Sequence, residues 1–257
     1  MNIGIMNNPA TDPAAEVRWA ASHGFEAIDI TVEGPRATRE ALRGPEFRNV
    51  LANSGLAVVG HLGWYYPLDL PSDEVRRGIV DSLMADIEVL AELGAPTATV
   101  HLTMMAPGRM FTADERVAFS VALLREVIRR CEPLGVRPVI EHVRGDDGHL
   151  AMLDALLEQL PQLGFHLDVG HANLGARANA TFRLLQRWGS RLHHVHMSDN
   201  FGHDDLHLPL GAGNIDWPAV VNNLKACRYD RAITLEVFSN DRDYVQISRD
   251  KLLNWWR

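Results

Sequence analysis

Six side chains able to hold a metal ion or move a proton end six successive apolar runs: His61, His101, Glu141, Asp168, His196 and Glu236. The runs are short and rich in β-branched residues, as in Pro138-Val139-Ile140-Glu141 and Ile233-Thr234-Leu235-Glu236, and so read as buried strands. A carboxylate or imidazole at the end of a buried strand must be paired, hydrogen-bonded or metal-bound, because an uncompensated charge there is too costly. Any one of them has a plainer reading. A lone His caps a strand, and Glu141 or Glu236 pairs with a base such as Arg144. Six on six consecutive strands point instead to one shared site, and mixed imidazole and carboxylate ligands suit Zn, Mn, Co or Fe better than Mg or Ca. His193, His194 and His166 favour structural roles, and strand alternation turns His142 away from the face that Glu141 uses.

The elements that must position these residues follow from the hydrophobic pattern. Strands are expected at Asn2 to Met6, Phe25 to Ile30 (ending near Asp29), Leu56 to Leu62 and Thr97 to Leu102, then four more ending in Glu141, Asp168, His196 and Glu236. Helices are expected at about Pro13 to His23, Arg39 to Asn53, Asp73 to Leu93, Ala113 to Leu134, Leu150 to Leu160, Thr181 to Trp188 and Trp217 to Ala226, with a last one running to Trp256. Eight strand–helix units imply an α/β fold, a single (β/α)8 TIM barrel domain over residues 1–257 whose parallel strands carry the active site at their C-terminal face. A doubly wound open sheet would need a Gly-rich phosphate turn after the first strand, and Asn7-Asn8-Pro9 stands there instead.

Composition narrows the partners. The 257 residues carry a net charge of -8, which argues against nucleic acid, since non-specific affinity for polyanions comes from Lys and Arg. With 46% hydrophobic residues the chain can bury a large core. Cys131 and Cys227 lie far apart in expected helices and suit a reduced, cytoplasmic protein. No signal-peptide pattern opens the sequence, and no apolar run reaches the ~18 residues of a membrane span. A small polar substrate fits best.

In combination, Ile140-Glu141-His142, Leu167-Asp168-Val169-Gly170-His171, His194-Val195-His196-Met197-Ser198-Asp199, Asp205-Leu206-His207-Leu208-Pro209-Leu210-Gly211-Ala212-Gly213 and Thr234-Leu235-Glu236 resemble the xylose isomerase-like barrel superfamily of sugar (phosphate) isomerases and epimerases. The resemblance extends over nearly the whole chain. It implies one divalent metal ion (Mn2+, Zn2+ or Co2+) held by Glu141, Asp168, His196 and Glu236, with the two glutamates also forming the proton-transfer pair and His171 beside the substrate oxygens. The implied reaction moves a proton next to a carbonyl through a metal-stabilised enediolate. Trp64, with Tyr65 and Tyr66, and His203 are candidate substrate contacts.

Two other readings stand beside this one. The superfamily includes zinc-dependent apurinic endonucleases, whose three-metal cluster would correspond to His61, His101, Glu141, Asp168, His171, His196, Asp205, His207 and Glu236. All nine are present, but the chain is acidic and shows no basic loop for bending DNA. The other alternative is a metal-retaining barrel subunit without catalysis, which an intact ligand set argues against. On the epimerase side there is a departure: Gly202 stands where some ketose epimerases carry a substrate-holding arginine, leaving Arg109, Arg144, Arg177 or His203 as replacements. Phosphorylated and free sugars both remain open.

Overall fold

A β-branched run with apolar residues on both faces can be buried only if helices cover the sheet it joins. In the computed structural model, which describes residues 1–257, eight such runs form β1 (Asn2–Met6), β2 (Ala27–Val32), β3 (Ala57–Leu62), β4 (Thr97–His101), β5 (Arg137–Glu141), β6 (Gly164–Asp168), β7 (Leu192–Met197) and β8 (Ala232–Leu235). They are parallel, follow chain order and close into a barrel through β1 and β8. The helices are α1 (Pro13–Ser22), α2 (Arg39–Arg43), α3 (Pro45–Ser54), α4 (Asp73–Glu92), α5 (Ala113–Cys131), α6 (Asp147–Gln159), α7 (Thr181–Trp188), α8 (Trp217–Ala226) and α9 (Asp243–Trp256). The expected TIM barrel is the fold observed. None of its helices is long and apolar enough to cross a membrane.

Several boundaries differ from expectation for local reasons. The helix expected over Arg39 to Asn53 is two helices, because Pro45 lacks an N–H and holds Gly44 extended at ψ 143°. The helix expected to reach Leu134 stops at Cys131, and Pro133 leaves only a 3₁₀ turn beyond it. β2 runs on to Val32, pairing Thr31 with His61 and Val32 with Leu62. Asp29 therefore lies in mid-strand, deep in the barrel, and not at its mouth. Glu236 sits one residue past β8, with its N–H still donating to the Met197 carbonyl at 3.1 Å.

The C-terminal aromatics pack inward: Trp255 stacks on the buried Trp217 with ring centroids 6.0 Å apart. Cys131 is buried between α4 and α5, and burial pushes its thiol up to about 12, so it is no nucleophile.

The loop that follows Glu141 is held by a neutral histidine. His149 Nε2 accepts the Val143 N–H at 3.1 Å, while Asp146 caps α6 through the His149 N–H at 3.0 Å. Burial, opposed by Asp146, brings His149 down to about 4. Between pH 6.5 and 4 the unfolded chain therefore binds a proton that the folded chain refuses, and stability falls as pH drops through that window. Denaturant unfolding at pH 7 and pH 5 should show the wild type losing about 2 kcal/mol more than His149→Gln, whose amide oxygen still accepts the N–H. Equal losses would mean His149 is protonated in the fold.

Candidate metal centre and barrel mouth

Strand register explains why the titratable residues meet. β4 and β5 place His101 beside Glu141, β6 and β7 place Asp168 beside His196, and β2 and β3 place Thr31 beside His61. All point into the barrel toward its C-terminal end, where a cavity of about 900 Å³ opens. His61, His101, His171, Asp205, His207 and Glu236 line that cavity; Glu141, Asp168 and His196 lie beneath it, fully buried.

Five groups of donors come within 4.8 Å of one another: Asp168, His196 and Glu236; Glu141, Asp168 and His171; His61, His101 and Glu141; and, deeper, His61, His166 and His196, and Asp29, His194 and His196. Asp168 is common to the first two, and through it Glu141 joins Glu236. In the first group His196 Nδ1 is 3.1 Å from Glu236 Oε2 and 3.8 Å from Asp168 Oδ2. In the third, His61 Nε2 and His101 Nε2 lie 3.6 and 3.4 Å from Glu141 Oε2. Asp205 Oδ2 lies between two imidazoles, 3.0 Å from His171 Nε2 and 3.1 Å from His207 Nε2. His207 stands at φ 45°, in the left-handed region a non-glycine residue seldom adopts, and this aims its ring into the cavity.

The residues present fit a cation. Both oxygens of Glu141 and Asp168 Oδ2 are buried without a hydrogen-bond donor. His171 Nδ1 comes within 3.1 Å of Glu141 Oε1, yet its hydrogen bond goes to the His142 carbonyl at 3.0 Å. Buried carboxylate oxygens left this way cost more than the ~1–3 kcal/mol of an unsatisfied neutral group, and a divalent ion would relieve it.

The charges are mutually dependent. Burial pushes Glu141 up, but His166, His101 and His171 outweigh it and hold the carboxyl well below its usual range. Glu236 is brought down to about 2, against its burial, by His207 and His196. Asp168 goes the other way: burial pushes it up to about 7, with Glu141 and Glu236 adding to the effect and His171 opposing it. His196 and His171 are raised well above the ordinary imidazole range despite burial, by Glu236 and Asp29 for the first and by Asp168 and Asp205 for the second.

Beneath this layer lies a second polar one. Asp29 is fully buried, and its Oδ2 accepts from His196 Nε2 at 2.7 Å, His194 Nε2 at 3.0 Å and Thr234 Oγ1 at 3.3 Å. His166 Nδ1 meets Thr99 Oγ1 at 3.0 Å, and its ring packs edge-on to His196 with centroids 4.2 Å apart. His194 and His166 lie in this lower layer, each with one ring nitrogen unpartnered and each within a donor group that could hold a cation, while His193 turns outward to the Arg191 carbonyl. Asp29 is the residue that sequence reasoning passed over. Its signal was a carboxylate inside an otherwise apolar and β-branched run, Ala27-Ile28-Asp29-Ile30-Thr31-Val32.

The glycine-rich stretch after β7 is built around Asp199. Its carboxylate accepts from Gly211 N at 2.8 Å, Asn200 N at 3.0 Å and Trp217 Nε1 at 2.8 Å. Gly211 has φ 78°, and a Cβ on Gly213 would stand 2.2 Å from the Asn200 carbonyl oxygen. These glycines fold the loop that projects Asp205 and His207.

Of the expected substrate contacts, Trp64 and His203 line the cavity. Tyr66 does not: its hydroxyl donates to Asp86 at 2.6 Å, on the helix side of the loop. Arg144 lines the cavity, whereas Arg109 and Arg177 are not among its lining residues. Glu33, not singled out in the sequence, also faces this space. Its carboxyl is raised by burial and by Glu236.

Comparison with known proteins agrees with this architecture. The uncharacterized protein MJ1311 of Methanocaldococcus jannaschii is 30% identical over 181 residues, which make up 68% of this chain and 61% of that one, so the match spans less than two thirds of that relative. A D-tagatose 3-epimerase-like protein superimposes with a TM-score of 0.85 at 26% identity, covering 99% of this chain and 97% of its own. D-psicose 3-epimerase from Clostridium cellulolyticum H10, solved with D-tagatose, shares the fold with a TM-score of 0.77 at 15% identity, covering 100% and 98%. The profile of the xylose isomerase-like TIM barrel matches residues 17–255, and the chain belongs to that family.

Proposed function

We propose that this protein is a divalent-metal-dependent sugar isomerase or epimerase. The observation that carries the reading is the pair of donor groups sharing Asp168, one with His196 and Glu236 and one with Glu141, at and beneath the floor of an open cavity, with Glu141 and Asp168 oxygens that have no donor. The D-tagatose and D-psicose 3-epimerase names of its structural neighbours support the same class. These four residues would hold the ion, which when bound would offset the negative charge that develops on the substrate oxygens.

The chain's own residues carry the proton. Glu236 is ionised at neutral pH and reaches the cavity, so it can take the weakly acidic proton next to a carbonyl. Glu141 would take a proton from the His171 imidazolium, 3.1 Å away, and return it to the opposite face for epimerisation, or to the neighbouring carbon for isomerisation, while Glu236 releases the one it took to solvent through the open cavity. His171 is held by the His142 carbonyl through Nδ1, and its Nε2–H would pass from Asp205 to a substrate oxygen when the sugar binds. Trp64 offers an aromatic face at the rim.

The test is proton NMR in D2O of free ketoses with protein loaded with Mn2+, Co2+ or Zn2+. The expected result is loss of the C–H signal next to the carbonyl and growth of an epimer or aldose. No exchange with any of the three metals across the ketose panel would overturn the reading.

A second reading rests on the donor group of His61, His101 and Glu141 and on the contacts of Asp205 with His171 and His207. A hydrolase with three zinc ions would use both. Metal content by plasma mass spectrometry separates the two: near one per chain favours the isomerase, near three zinc favours the hydrolase. The hydrolase reading also requires zinc-loaded protein to cleave an abasic duplex.

A further inference from the structure

The cavity above the donor groups is not the only space at the mouth. A second hollow of about 450 Å³ opens beside it, between the ends of β1 and β8 and the start of α9. The two share Met6, Asn8 and Phe238 as walls. Cavities of ~300–1,000 Å³ hold drug-sized ligands, so the main cavity alone more than accommodates one small sugar. The neighbouring hollow adds room for another ring.

Its floor is a built polar network. Glu16 is buried; its Oε1 accepts from Thr11 Oγ1 at 2.8 Å and its Oε2 from Arg242 at 2.6 Å. The Arg242 guanidinium also lies over the Trp19 ring, 3.8 Å from its centroid, so the ion pair is held from two sides. Asn240 and Ser239 supply exposed or half-exposed polar groups at the rim. Phe238, 48% exposed, is the partition between the two spaces. Its N–H donates to the His207 carbonyl at 3.2 Å and its ring packs on the His207 imidazole, centroids 4.6 Å apart. An exposed aromatic ring beside a rim amide and hydroxyl, over a floor made rigid by the Glu16–Arg242 pair, is equipment suited to a sugar ring.

Charge decides what kind of second unit fits. The main cavity carries Glu33, Asp204, Asp205 and Glu236; its one arginine, Arg144, is paired with Asp146 at 2.9 Å, and its His171 and His207 imidazoles are both paired with Asp205, at 3.0 and 3.1 Å. In the hollow Arg242 is spent on Glu16. Neither space offers an unpaired guanidinium or ammonium to a phosphate or carboxylate.

We propose that the hollow between β1 and β8 is a second subsite, and that the substrate is an uncharged glycoside whose outer sugar sits there while its reacting sugar occupies the cavity floor. This rests on the sugar-enzyme reading only in taking the reacting unit to be a sugar.

The test is calorimetric binding of neutral disaccharides and their component monosaccharides to the metal-loaded protein, read without turnover. At least one disaccharide is expected to bind tenfold or more tightly than its own monosaccharides. Asn240→Trp, at an exposed loop position, should remove most of that ratio by filling the hollow, and Thr11→Val should reduce it by loosening Glu16. Disaccharides that bind no better than their components, or a ratio that both variants leave intact, would overturn the subsite. A protein that binds disaccharides with this ratio yet exchanges no C–H proton would keep the subsite and lose the isomerase reading; the reverse result would do the opposite.

Discussion

Changing Glu236 to Gln is expected to lower turnover by ~10³-fold with the fold intact, within the 10²–10⁴ that a positioned proton-transfer group contributes. Glu236 is 7% exposed at the cavity floor, and its Oε2 lies 3.1 Å from His196 Nδ1 and 3.6 Å from His207 Nδ1. Those imidazoles outweigh its burial and bring it down to about 2, so it is ionised at neutral pH. Gln keeps the volume and one carbonyl oxygen but cannot accept a proton. Glu141→Gln is expected to fall as far, yet the two variants should differ in D2O. Each removes exchange on one face of the substrate, so each should still wash deuterium into one epimer and not the other. Melting and metal content, measured alongside, tell lost chemistry from a lost site. Wild-type turnover in Glu236→Gln would end the paired-glutamate mechanism.

Asp29→Ala is expected to cost ~3–5 kcal/mol of stability, the range found when one partner of a buried charge pair is removed. Burial alone would push the Asp29 carboxyl up; His194, His196 and His61 outweigh it and hold it well below its usual range. The carboxylate is thus charged inside the barrel, bound to His196 Nε2 and His194 Nε2. Without it the His196 imidazole loses the partner that fixes its ring, with Nδ1 facing Asp168 and Glu236. Metal affinity should therefore weaken by ~10–100-fold, as it does when the outer partner of a ligating histidine is removed. Asp29→Asn, which keeps the shape and one acceptor, should lose less on both counts. Denaturant unfolding and a zinc titration measure the two effects, and unchanged values in Asp29→Ala would mean the carboxylate does not orient His196.

Much of this was legible in the chain itself. Eight β-branched runs separated by amphipathic segments specify a parallel sheet covered by helices on both faces, and their number, with no Gly-rich turn after the first, points to the closed barrel over the open sheet. The same pattern puts His61, His101, Glu141, Asp168 and His196 at or near strand ends, since alternation and run length are local properties. Where Pro45 and Pro133 break helices was equally local, and the expected boundaries erred by giving periodicity more weight than the missing N–H.

Depth and partnership were not local. Asp29 looked like a strand end until the pairing of β2 with β3 carried the strand on to Val32 and left the carboxylate beneath the site. Tyr66 follows Trp64 by two residues, yet a hydrogen bond to Asp86, twenty positions on, takes it out of the mouth. Glu33 and Phe238 became wall residues only when the barrel closed between β1 and β8 and brought both ends of the chain to one rim. Sequence determined which residue types stand on which strands, because that depends on neighbours along the chain. Tertiary structure decided which atoms face one another, because strand register and barrel closure are set by packing between segments far apart in sequence.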